Sequence, residues 1–131
     1  MKMIETNQQD NKLLGLNLLK KERMIIRLKT KQNIDIESKV ITGNKFGVST
    51  QSEMTKIINE LIYLSLKKNL IVSEIQVVHT HQNHKLSSGY WRVGEFSKRD
   101  KECGRYLKSL FKIPIQLVIV SKLGISMVMS F

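Results

Sequence analysis

The hydrophobic period of this 131-residue chain changes three times between Lys45 and Phe111, and that alternation limits the fold more than any other feature. From Ser52 onward, Met54, Ile57, Ile58, Leu61, Ile62, Leu64 and Leu66 mostly keep a 3.6-residue spacing. Before and after that stretch, apolar side chains favour every second position. Period 3.6 buries one stripe of a helix and period two buries one face of a strand, so the helices need a sheet to cover. The order reads as strands at Arg23–Lys29, 34–42 and 45–49, with a turn at Lys31–Asn33. A helix from Ser52, its N-cap, to Asn69 follows, then a strand at 73–81 and a polar loop at 82–95. Ser97–Phe111 is the second helix, and Ile115–Val120 with Ile125–Met129 closes as a hairpin around Lys122–Gly124. The expected class is α/β (mixed α+β): a central mixed sheet flanked by helices, with a crossover between Lys45 and His81.

At 41% hydrophobic and 25% charged, the chain can build one core, and it is too short for two. Residues 1–19 are expected to be an extension: 1–11 polar and loose, then a leucine-rich patch (Leu13, Leu14, Leu16, Leu18, Leu19) that suits a short packed helix. Residues 20–131 form the domain. Cys103 is the single cysteine, so no internal disulfide forms and a reducing compartment fits. The longest aliphatic run, Leu117–Val120, is far below the ~20 residues that span a bilayer. The opening MKMIETNQQD has no apolar segment of a leader. A cytoplasmic protein with no membrane partner is expected. Lys and Arg total 22 against 11 Asp and Glu, a net +11 that favours polyanions such as nucleic acid or an acidic protein surface.

All three histidines fall within six positions: His79, His81 and His84. On a strand, i and i+2 share a face, so His79 and His81 offer two imidazoles to one point. Zinc takes imidazole readily, and a catalytic zinc uses three protein ligands with a fourth position open. Asp100, at the start of the second helix, is the candidate third ligand. Each element has a plainer reading: two surface histidines, and a Ser97-x-x-Asp100 helix cap. Both occurring in order, at element boundaries, favours a metal site.

H-x-H followed by S-x-x-D resembles the signature of the JAMM metallopeptidases, the JAB/MPN domain. Glu22 opening a strand, the Val40–Gly43 segment and the helix ahead of the H-x-H strand look most similar to the RadC-like branch. The resemblance covers about residues 20–131. It implies one Zn2+ per chain on His79, His81 and Asp100, with Glu22 as general acid/base and Ser97 helping to stabilise the oxyanion. Glu37, also on an early strand, competes with Glu22 for the base. Two departures stand out: Gln82 occupies the family's proline position, and 15 residues separate His81 from Ser97, eight more than the pattern. This enlarged 82–96 loop carries His84, a possible accessory ligand, and Tyr90 and Trp91, possible substrate contacts. Cys103, one turn after Asp100, is a possible accessory group; a buried thiol is the plainer reading. The similar layout of the cytidine deaminases would require H-x-E and P-C-x-x-C, and neither occurs.

The expected function is zinc-dependent hydrolysis of a peptide or isopeptide bond in a protein substrate. Two alternatives stay open: a nucleic-acid-binding module with a degenerate or structural metal site, and a metal-assisted nuclease. Tyr90, Trp91 and Phe96 among Arg92 and Lys98 would suit single-strand stacking or, more plainly, anchoring of the loop.

Overall fold

A computed structural model describes residues 2–5, 22–42, 51–80, 84–85, 91–92, 96–120 and 125–131. Strands β1 (Lys2–Glu5), β2 (Arg23–Thr30), β3 (Ile36–Glu37) and β4 (Ile41–Thr42) precede helix α1 (Gln51–Lys67). Then come β5 (Val72–Thr80), β6 (His84–Lys85), β7 (Trp91–Arg92), helix α2 (Lys98–Phe111), β8 (Ile115–Val120) and β9 (Ile125–Ser130). Among the described residues one seven-stranded mixed sheet runs β1-β9-β8-β5-β2-β3, with β4 also on β2. β6 and β7 pair separately, so the segment read as loop holds a small hairpin.

The sheet's centre is the parallel pair β5–β8, joined through α2. Such strands are buried on both faces and read as nearly continuous apolar runs. IQLVIV fits that rule, whereas VSEIQVVHT begins with the partly buried Val72, Ser73 and Glu74 and is continuously buried only from Val77 onward. Met24, Ile26, Leu28, Ile75, Val77, Ile115, Leu117 and Ile119 form the core face. Against it α1 lays Met54, Ile58 and Leu61, and α2 lays Cys103 and Leu107. Ile25, Val78, Val118, Val120 and Val128 cluster on the opposite face. Both β4 and β5 run antiparallel to β2, so the chain through α1 joins two parallel strands across it.

The strand expected at 34–42 is divided in two. Arg27 faces Glu37 and Arg23 faces Thr42, so four steps along β2 match five along its partner, a one-residue bulge. Ser38 sits in it: its N–H donates to Ile26 O (2.8 Å) and its hydroxyl accepts from Ile26 N (2.9 Å). Residues 2–5, expected to be loose, form an edge strand on β9. Four residues, KMIE, are too few to display a period. The helix expected from Ser52 starts at Gln51, which puts Ser52 inside the first turn rather than at the cap. It closes as a Schellman motif: Asn69 takes a left-handed φ of 54°, with Leu70 N–H on Ser65 O and Asn69 N–H on Leu66 O. No described helix is long and apolar enough to cross a membrane. The helix expected around Leu13–Leu19 and the strand at 45–49 lie outside the described residues.

Candidate functional site

β5 carries its apolar side chains on the helix-covered face at Ile75 and Val77, and by alternation the next position is His79. Its Cα is in register with Met24 of β2 and Ile119 of β8, so the imidazole ends an otherwise hydrophobic stripe. Only 7% of His79 is exposed. A polar ring at such depth is costly without polar company. That company is Asp100: His79 Nε2 lies 3.6 Å from Asp100 Oδ1.

Asp100 is held there by the start of α2. Phe96, buried in the main core, anchors the chain just before the helix. Ser97 is the N-cap, and its hydroxyl accepts from Asp100 N–H (3.1 Å) while Asp100 Oδ2 accepts from Ser97 N–H (2.9 Å). This is a reciprocal capping box, and the helix dipole favours the carboxylate at that position. The plainer reading of Ser97-x-x-Asp100 is therefore realised. It leaves the other carboxylate oxygen, Oδ1, directed at His79.

That donor pair fits zinc. Two ligands at 2.0–2.2 Å from one tetrahedral ion lie about 3.4 Å apart, so a separation of 3.6 Å needs only a small side-chain adjustment. An imidazole nitrogen and a carboxylate oxygen are ordinary members of a catalytic zinc set. Among the described residues no three His, Cys, Asp or Glu side chains gather to hold an ion. The expected third ligand, His81, lies outside the described residues. So does Tyr90, and of His84 and Trp91 only the backbone is described.

The two carboxylates that competed for the role of base part company. Glu37 accepts from Arg27 Nε at 2.9 Å. Arg27 is in register with Gln76, three residues and about 10 Å along β5 from His79 and on the alternate face. Glu37 is thus turned away from the pair. Glu22 immediately precedes β2, whose first residues lie beside the His79 end of β5. Arg23 N–H donates to Thr80 Oγ1 at 2.8 Å, pinning the chain where Glu22 leaves it. Sequence reasoning missed Thr80, because a threonine on a strand reads only as a β-branched residue.

Cys103 belongs to the core. It is 7% exposed, in the cluster with Leu107 and Phe96, and its Sγ lies 3.7 Å from Met54 Sδ. Burial first, and the Asp100 charge second, push its thiol from 9.0 up to about 11, against a smaller lowering by Arg99. A thiol kept protonated makes a poor metal ligand or nucleophile.

Comparison with protein-family models, with curated proteins and with solved structures finds no match for this chain.

Proposed function

We propose that this chain is a zinc-dependent hydrolase of the JAMM type, cleaving a peptide or isopeptide bond in a cytoplasmic protein substrate. One observation carries the reading: a buried imidazole and a helix-capping carboxylate, from separate elements, present Nε2 and Oδ1 to each other at 3.6 Å. The order of hairpin, helix, H-x-H strand, helix and closing strands around that pair supports a JAB/MPN-like arrangement.

In this reading His79, His81 and Asp100 would hold one Zn2+, which would lower the pKa of a water to about 7 and act as a Lewis acid for the scissile carbonyl. Glu22 takes the proton from the attacking water and returns it to the leaving amine. Ser97 keeps its hydroxyl proton for the developing oxyanion, since its capping bond uses only an oxygen lone pair. The capping box holds Asp100 in one rotamer, so the ligand pair is set before metal arrives.

Elemental analysis of purified protein tests this. Wild type is expected to hold about one zinc per chain, and His81→Ala and Asp100→Ala to lose it. Glu22→Gln should keep the zinc and lose hydrolysis. A folded wild type that takes up no zinc on reconstitution overturns the reading.

A further inference from the structure

The register between β2 and β5 ends at the pair Met24 and His79. Each strand nevertheless continues one residue further, to Arg23 and to Thr80. There a side chain takes over from the backbone. Arg23 N–H donates to Thr80 Oγ1 at 2.8 Å, and the same hydroxyl lies 3.5 Å from Arg23 O. Thr80 is 1% exposed, so that bond is shielded from water. On its other edge Arg23 is in register with Thr42 of β4. The chain entering β2 is therefore gripped from both sides, and the N–H that Thr80 holds belongs to the peptide joining Glu22 to Arg23.

Glu22 stands just outside β2 and is half-buried. Among the described residues no hydrogen bond or ion pair holds its carboxylate, so the main chain sets where that carboxylate starts from. Met24 and Ile26 lie on the helix-covered face, and Met24 is directly opposite His79. Strand alternation assigns Glu22 to that face only while the chain stays extended through Arg23; a slip by one residue sends it to the other face.

We propose that Thr80 is a positioning residue: its hydroxyl fixes the Glu22–Arg23 peptide and so keeps the Glu22 carboxylate on the His79–Asp100 side of the sheet. This role rests on the hydrolase reading, in which Glu22 handles the proton of the attacking water. Thr80 itself touches no reacting atom. A hydroxyl that merely satisfied a buried N–H would add stability without deciding where Glu22 stands.

Paramagnetic NMR separates the two without a substrate. Protein with 13C-labelled glutamate carboxyls is loaded with Co2+, Zn2+ serves as the diamagnetic reference, and Glu22→Gln identifies the Glu22 signal. The cobalt-induced shift falls steeply with distance, so Glu22 of the wild type should show it strongly. Thr80→Val keeps the shape of the side chain, removes the hydroxyl and should lose most of that shift at unchanged metal content. Thr80→Ser should restore it. Arg23 amide exchange should run roughly two- to tenfold faster in Thr80→Val. Val78→Ala thins the core two residues earlier on the same strand, and should cost stability yet keep the Glu22 shift. If Thr80→Val does not fold, Thr80→Ala carries the same comparison. A Glu22 shift that survives in the folded hydroxyl-free variant, or that is lost equally in Val78→Ala, overturns the positioning role and leaves the hydrolase reading standing. A wild type that binds neither ion overturns both. A metal-loaded wild type with Glu22 unshifted removes Glu22 as the base, and the positioning role with it.

Discussion

Single side chains at the His79–Asp100 end divide into those that meet in a polar cluster and those that merely lie near it. Asp100 serves both the helix cap and His79, one oxygen to each. Cys103, three residues on, is turned into the core against Met54, and that placement has a pH signature. Its thiol ionises near 9 in the unfolded chain and near 11 in the folded one. A group whose folded pKa is raised adds stability that is complete below pH 9 and is lost as pH rises through 11. The stability difference between wild type and Cys103→Ala, from urea midpoints, should therefore shrink over pH 9–11 and be flat below it. Native protein at pH 7.5 should resist thiol reagents until it is unfolded.

Among the elements, α2 bears the most demands: it caps with Ser97, directs Asp100 and packs Leu107. Its close approach to the chain's last residue depends on Gly104. A Cβ built there would stand 2.4–2.7 Å from the Phe131 ring. Phe131 cannot retreat along the backbone, because it exchanges two hydrogen bonds with Ile115 at 2.9 and 3.2 Å. Alanine gains about 1 kcal/mol of helix propensity, and overpacking costs roughly 1–3 kcal/mol. The expected net loss for Gly104→Ala is therefore about 1 kcal/mol. Placed in a Phe131→Ala background the same substitution should become stabilising by about 1 kcal/mol. A double-mutant cycle of denaturation midpoints reads the reversal.

Across the whole molecule, the core is aliphatic and continuous under both helices, so folding has no need of a metal. In the proposed enzyme, chelation should leave the far-ultraviolet spectrum unchanged. It should remove only the linkage stabilisation, about 2.7 kcal/mol when free zinc is a hundredfold above its Kd. Calorimetry with and without chelator checks this: collapse of secondary structure on chelation would make the metal structural instead. Arrangement at this scale also explains what was legible beforehand. The sequence alone determined that a mixed sheet is covered by two helices, that Ser97 caps α2 and that His79 shares a face with Ile75 and Val77, because period and capping chemistry are local. Only tertiary structure decided that Glu37 turns to Arg27 while Glu22 is left at the His79 end. It also decided that Cys103 packs on Met54, that residues 2–5 pair with β9 and that 34–42 carries a bulge. Those outcomes depend on register between strands and on packing between elements far apart in the chain, and neither leaves a periodic trace in the residues themselves.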